Sequence, residues 1–315
     1  MVIIVTGGAG FIGRWVVKQL IQEGKEVVVI DNLDNGREEN LKEFSNNSKL
    51  KEFIIGDIKD KEIIDVLFSK YKFITCIHLA AQINVQESLD NPKKAFDNNI
   101  IGTYNILQAS LLYKTKLVLI GTCMVYNLAV SDKPISEMHP LRPSSPYAGS
   151  KLAAEELALS YYNGLGLPVV ILRPFNTYGP FQKTNMEGGV VSIFIKRKLN
   201  NQNLLVYGDG TQTRDLLYVE DCANFIIKAS NCEKCVGEVI NAGYGRDVSI
   251  NSLALSIVGN KDRIDHIQHH HLQSEIMKLI CDNSKAKDLL SWEPKTSLEE
   301  GILKTENWIK ENEMI

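Results

Sequence analysis

Tyr147 and Lys151 stand four residues apart in Tyr147-Ala148-Gly149-Ser150-Lys151, a spacing that stacks two side chains on one face of a helix. A phenol is a poor acid or base at neutral pH, because its ordinary pKa is about 10. A neighbouring ammonium favours the phenolate and lowers that value. A shift of about three units corresponds to roughly 4 kcal/mol of differential interaction, within reach of one lysine plus a second close positive charge. A tyrosine so placed takes a proton from a substrate hydroxyl. Tyr-x3-Lys alone also arises on ordinary helix surfaces, so its weight rests on the elements that would position it.

Those elements start at the N-terminus. Met1-Val2-Ile3-Ile4-Val5 is an apolar, β-branched run of strand length. Thr6-Gly7-Gly8-Ala9-Gly10-Phe11-Ile12-Gly13 follows, and then a helical pattern through Val16, Val17, Leu20 and Ile21. Glycines between a strand and a helix allow a tight turn, close approach to a pyrophosphate and close helix–strand packing. The helix N-terminus offers free N–H groups to phosphates. The spacing here is G-x-x-G-x-x-G, and the strand-then-helix context makes it a dinucleotide site. A nicotinamide held there would supply the second positive charge. The next strand, Glu26 to Ile30, ends in Asp31. An acid at that place accepts from a ribose 2′-hydroxyl and repels a 2′-phosphate, favouring NAD over NADP; Arg14 and Arg37 are the nearby residues that bear on this choice. Two further strands end in Gly56-Asp57-Ile58 and in Leu79-Ala80-Ala81-Gln82. Small residues at strand ends let a cofactor lie against the backbone. His78 falls within an apolar strand and reads as a hydrogen-bonded core histidine.

The chain of 315 residues is long enough to bury a large core in one or two domains. A formal charge of −3 gives no general attraction for nucleic acid or anionic membrane. No apolar run is long enough to span a bilayer, and the N-terminus has no signal-peptide pattern. Six scattered cysteines fit a reducing cytoplasm. Cys232-Glu-Lys-Cys235 lacks a second pair, so no metal is expected. His269-His270-His271 reads as solvated or near substrate.

Strand and helix patterns alternate to about residue 175, the signature of βαβ units in a parallel sheet. Lys116–Ile120 reads as a fifth strand and Pro168–Leu172 as a sixth. Between them runs a loop rich in proline and serine, Pro134 to Pro146. Helical stretches at about 93–114 and 147–164 either cover the sheet or pair with a second copy. Beyond Arg173-Pro174-Phe175-Asn176-Thr177-Tyr178-Gly179-Pro180 the pattern changes to glycine clusters, short strands such as Leu204–Tyr207 and separated helices, ending in a helix at about 298–312. The expected organisation is therefore α/β: a doubly wound parallel sheet over 1–175 and a smaller α/β lobe over 176–315, with a strand or helix that crosses back.

The glycine loop, Asp31, Asp57, His78-Leu79-Ala80-Ala81, Asn99-Ile-Ile-Gly102-Thr103, Thr122 and the Tyr147/Lys151 pair together resemble the extended short-chain dehydrogenase/reductases. Arg173-Pro-Phe-Asn176-Thr-Tyr-Gly-Pro and Gly210-Thr-Gln-Thr-Arg214-Asp215 resemble the nucleotide-sugar epimerases and dehydratases within them. The resemblance covers nearly the whole chain. It implies a Rossmann domain, a C-terminal substrate lobe, a homodimer, and NAD held by Gly7, Gly10, Phe11, Ile12, Asp31, Asn32, Asn35, Asp57, Ile58, Leu79, Ala80, Ala81, Asn99, Tyr147, Lys151 and Pro174. It implies that Thr122 hydrogen-bonds a sugar 4-oxygen, that Tyr147 takes its proton and that Lys151 holds the nicotinamide ribose. Gln82, Asn176, Val191, Tyr207, Arg214, His271 and Glu275 fall where relatives hold a nucleotide sugar, with a UDP-sugar favoured. Family 4,6-dehydratases carry an acid and a base directly after the threonine, whereas here Cys123 and Met124 follow. Thr-Cys-Met resembles an atypical dehydratase branch acting on UDP-N-acetylglucosamine. On that resemblance Cys123 reads either as a group that does proton work near C5 and C6 or as a small packing residue, and Met124 as filling space near C6 where epimerases commonly carry small residues. Glu187 would supply the missing carboxylate. A 4-epimerase, which needs no further acid or base, is the alternative, and a tunicamycin-type 5,6-dehydratase a second. Intact Thr122, Tyr147 and Lys151 argue against a non-catalytic NAD sensor.

Overall fold

The computed structural model describes residues 1–127, 133–183, 189–268 and 277–312. The strands are β1 (Val2–Thr6), β2 (Glu26–Asp31), β3 (Leu50–Ile55), β4 (Thr75–His78), β5 (Lys116–Ile120) and β6 (Val169–Pro174), followed by β7 (Asn176–Tyr178), β8 (Leu204–Tyr207), β9 (Thr213–Tyr218), β10 (Val239–Ala242), β11 (Asp247–Ser249) and β12 (Ile264–Ile267). Seven of them form one sheet in the order β10-β6-β5-β4-β1-β2-β3. All six pairings are parallel. β1 lies between β2 and β4, so the connections leave it in opposite directions. Ligands of open α/β sheets bind at such a switch point, beyond the strands' carboxyl ends.

Strand side chains alternate between faces, and the two cores show it. Ile3, Val5, Val27, Val29, Val118 and Ile120 point into one cluster. Ile4, Val28, Ile30, Leu117 and Leu119 point into the other. Helix Phe11–Gln22 covers the first face together with helix Val219–Asn231, against which it packs. Helices Lys61–Tyr71, Gly102–Tyr113 and Pro146–Leu165 cover the second. Burying one Leu or Ile side chain contributes about 1.5–3 kcal/mol, so a sheet buried on both faces is a rigid platform for the loops at its edge.

The C-terminal half is woven into this platform. β10 pairs with β6 at the sheet edge. The remaining strands form a three-stranded sheet, β11-β9-β7, and a β8–β12 pair. The helix that carries Tyr147 is set by its own sequence. Ser145 caps it by accepting from the Ala148 N–H at 3.2 Å, Pro146 opens it, and Gly166 at φ 71° ends it. The helical pattern over 93–114 proves to be three pieces: Pro92–Phe96, a π turn at Asp97–Ile101, and Gly102–Tyr113. Apolar spacing does not distinguish a π turn from an α turn, so the interruption was invisible to periodicity.

Candidate active site

The loop after β1 turns through Gly7, whose φ of 71° suits glycine. Its N–H donates to Ile30 O at 2.8 Å. A Cβ at Gly13 would overlap the Gly7 carbonyl oxygen, so the helix packs on the loop only because residue 13 is glycine. The loop floors a cleft at the strand ends. Fourteen of the expected cofactor residues line it: Gly7, Gly10, Phe11, Ile12, Asp31, Asn32, Asn35, Ile58, Leu79, Ala80, Ala81, Tyr147, Lys151 and Pro174. Two do not. Asp57, between the lining residues Gly56 and Ile58, is partly exposed outside the lining and accepts from Asn32 Nδ2 at 3.1 Å and from the Lys59 N–H at 2.9 Å. Asn99 is buried in the π turn, accepting from the Gln82 N–H at 2.7 Å and donating to Ser150 Oγ at 2.9 Å. Its neighbour Asn98 reaches the cleft instead. Asn99 is expected from the family motif, and nothing in that motif points to its neighbour Asn98. Sequence reasoning also passed over Asp34, Gly36, Ile83 and Phe181, which line the cleft from loops without a motif of their own.

Asp31 is 6% exposed, and its carboxylate accepts from the Ala9 N–H at 3.0 Å and the Leu33 N–H at 2.9 Å. Burial pushes its pKa up, and those two N–H groups pull it back. Each oxygen retains a lone pair, so the group can accept from ribose hydroxyls. Arg14 does not offset its charge. The Arg14 guanidinium is buried in an ion pair with Glu43, with Phe181 3.9 Å and Trp15 4.7 Å from it. Arg37 is exposed and stands outside the cleft lining.

Tyr147, Lys151 and Thr122 come together at the far end of the cleft. The Thr122 hydroxyl donates to the phenol oxygen, which favours the phenolate. Burial outweighs it and pushes the phenol up to about 12. Lys151 Nζ donates to Ile120 O at 2.6 Å, and burial brings its own pKa down to about 8, opposed by Glu155. The pair in the protein alone therefore leaves the phenol protonated, and a further positive charge is required. His78 is a core residue, hydrogen-bonded to Thr6 Oγ1 at 2.6 Å and Thr103 Oγ1 at 3.0 Å.

Thr122 also caps a short 3-10 turn, Cys123–Val125, by accepting from the Met124 N–H at 3.2 Å. Cys123 is 3% exposed and packs with Val125, Tyr126, Ile135, Phe175, Leu279 and Cys281. Burial pushes its thiol up to about 12, with Asp215 adding to the rise and Arg214 opposing it. At neutral pH this favours the protonated thiol over the thiolate. Met124 is half-buried beside this cluster. Gln82 is buried with its Nε2 donating to Asn84 O at 2.6 Å, and its Oε1 has no partner among the described residues. Asn176 Oδ1 is likewise buried without a partner among the described residues. Arg214 donates from Nη1 to Thr213 O at 2.8 Å on β9, the strand beside β7. Val191 is buried in helix Val190–Leu199, and Tyr207 is 40% exposed at the end of β8. Glu187, His271 and Glu275 lie outside the described residues.

A doubly wound parallel sheet, a glycine loop at its switch point and a Thr/Tyr/Lys constellation define a dinucleotide-dependent enzyme of carbinol chemistry. The family model of GDP-mannose 4,6 dehydratase matches residues 4–305. A putative UDP-glucose 4-epimerase of Methanocaldococcus jannaschii is 38% identical over 98% of this chain and 99% of its own. The structure of Pal from Bacillus thuringiensis is similar at 57% identity and TM-score 0.96, covering 99% of each chain. A UDP-glucose 4-epimerase of Thermotoga maritima, with UDP-glucose, matches at 35% identity and TM-score 0.92, also over 99% of each chain. A dTDP-glucose 4,6-dehydratase of Bacillus anthracis, in complex with NAD, matches at 30% identity and TM-score 0.90 over 99% of this chain and 97% of that one. The chain belongs to the extended short-chain dehydrogenase/reductase family of nucleotide-sugar epimerases and dehydratases, and its cofactor is NAD. The cleft fits that cofactor: the glycine loop admits a close backbone approach, and Asp31 presents a carboxylate where a 2′-phosphate would be repelled.

Proposed function

We propose that the protein is a UDP-sugar dehydratase, with UDP-N-acetylglucosamine as substrate and water lost across C5 and C6. NAD bound in the cleft would accept the C4 hydrogen with its electron pair and, once water has left across C5 and C6, would return them to C6, making the overall reaction a redox-neutral 4,6-dehydration. Tyr147 takes the proton from the 4-hydroxyl, Thr122 hydrogen-bonds the same oxygen, and Lys151 holds the ribose side of the site. A ketone at C4 acidifies the C5 proton, and loss of the 6-hydroxyl then needs a proton donor. The observation that carries this reading is the buried, neutral thiol of Cys123 directly after Thr122. It stands at the position where family dehydratases carry an acid, and its proton is the one nearest to Thr122 on the 3-10 turn. In this reading Glu187 is the base that removes the C5 proton, and Asn176, Val191, Tyr207, Arg214, His271 and Glu275 hold the nucleotide diphosphate. The homodimer belongs to the same reading, with Phe96, Tyr104 and Leu112 exposing 50%, 43% and 69% of their surfaces on the helices that would pair.

A 4-epimerase is the second reading. It is favoured by the absence, among the described residues flanking Thr122, of any carboxylate in the sequence Thr122-Cys123-Met124.

The deciding experiment incubates the protein with UDP-N-acetylglucosamine and with UDP-glucose and reads product mass and proton spectrum. Loss of one water with a new 6-methyl signal supports 4,6-dehydration. Loss of one water with vinylic signals means 5,6-dehydration. Unchanged mass with a new stereoisomer means epimerisation. Cys123→Ala is expected to lose water elimination while still binding NAD, and full activity in that variant removes the acid from the scheme. Tyr147→Phe is expected to lower turnover by about 10²- to 10⁴-fold.

A further inference from the structure

Behind the reacting residues runs a buried polar chain that no substrate would touch. Arg173, on β6, donates from Nε at 2.9 Å and from Nη2 at 2.7 Å, both to Glu155 Oε2. Glu155 and Arg173 are 0% and 3% exposed. The other oxygen, Oε1, lies so close to Gly121 that a Cβ there would overlap it. Arg173 Nη1 donates to the Tyr126 hydroxyl at 2.9 Å, which donates to Asn241 Oδ1 at 2.7 Å. Asn241, on β10, donates its N–H to Glu137 Oε1 at 2.8 Å. The chain therefore borders the turn that carries Thr122 and Cys123 at both ends: Glu155 Oε1 packs against Gly121 before it, with no hydrogen-bond partner among the described residues, and Arg173 holds Tyr126 after it. Buried ion pairs are weak contributors to stability, because desolvation cancels much of their attraction. Position is the better explanation for this one.

We propose that Glu155 is a positioning residue for the reaction: it fixes the Gly121–Thr122 backbone and supplies the negative charge that Lys151 faces across one helical turn. This rests on the role given above to Tyr147 and Lys151. The charged and titratable groups around Lys151 are Glu155 and Tyr147 on its own helix, His78 on β4, Cys123 on the 3-10 turn and Arg173 on β6. Glu155 is the carboxyl group among them; burial pushes its pKa up, opposed by the Arg173 guanidinium and the Lys151 ammonium, while burial pushes that of His78 down. Glu155 opposes the fall in the Lys151 pKa and also raises that of Tyr147. Its removal moves both groups to lower values.

Glu155→Gln is the test, read in two ways. In a tyrosinate absorbance titration of the protein alone, with Tyr147→Phe as the blank, the Tyr147 signal is expected at a lower pH than in the parent protein. In turnover, kcat is expected to fall while the limbs of the pH–rate profile move to lower pH. Glu155→Asp, which keeps the charge, is expected to restore the profile but not the full kcat. Where Glu155→Gln alone does not fold, the double variant with Arg173→Met leaves no buried cation unpaired at β6, and the same downward shift is expected. A folded variant with an unmoved titration and an unmoved profile overturns the proposal. A shifted titration in a protein that turns over no nucleotide sugar refutes the substrate reading and leaves the role of Glu155 standing.

Discussion

Tyr147 and Lys151 are legible from spacing alone, but their chemistry is not, because burial decides it. Lys151 spends its hydrogen bond on Ile120 O, and the phenol sits high, so the pair is an unfinished device until another cation joins it. Asp31 and the glycines are legible because backbone geometry dictates their type. Glu155 and Arg173 are not, since nothing in a linear sequence marks two residues 18 apart as partners. His78 offers a pH test at this scale. Burial lowers its pKa from 6.5 to about 3, with the Lys151 charge adding to the effect. The unfolded chain therefore binds a proton that the folded one refuses. The neutral core histidine's stabilising contribution is complete above pH 6.5 and is lost as the pH falls toward 3, by at most about 1.4 kcal/mol per pH unit. Urea unfolding at pH 6.5 and 4.5 should show this loss, and His78→Gln should reduce it. An equal pH dependence in the variant would mean that other groups account for the acid sensitivity.

At the scale of elements, alternation and β-branching locate the strands, and the Ser145 cap with Pro146 marks the catalytic helix. The π turn at Asp97–Ile101 is the element that patterning misses, and it matters because it turns Asn98 to the cleft while Asn99 braces Gln82 and Ser150. π turns recur at functional sites for this reason: one extra residue re-aims the side chains that follow. The glycine loop makes the sharpest element-level prediction. In Gly13→Ala the new methyl meets backbone atoms of Gly7 and Gly8, which cannot yield as a flexible side chain would. Overpacking of this kind costs about 1–3 kcal/mol. A lower melting temperature and at least about tenfold weaker NAD binding by calorimetry are expected; unchanged binding would show that the loop tolerates a wider helix–strand gap.

For the whole molecule, the parallel sheet was readable and a segment crossing back to it expected, whereas the identity of that segment was not, because β10 is contributed from far along the chain. The first core joins Trp15, Val16, Val170 and Leu172 to Phe225, Ile226, Ile240 and Ala242. A fragment ending at residue 175 would uncover that face and leave β6 as an unpaired edge. It is expected to lack cooperative unfolding by circular dichroism and to aggregate; a fragment that melts cooperatively would mean that the sheet closes without its seventh strand.

Asn241 on β10 stands one residue from the sheet's last turn and touches the same hydroxyl that steadies the turn bearing Thr122. Specificity and chemistry are thereby inherited together. Grafting the C-terminal half of one relative onto the N-terminal half of another would replace a strand of the shared scaffold along with the segments that follow it. New substrate ranges in such a lineage are accordingly reached more readily by stepwise change in the loops above the sheet than by exchange of modules.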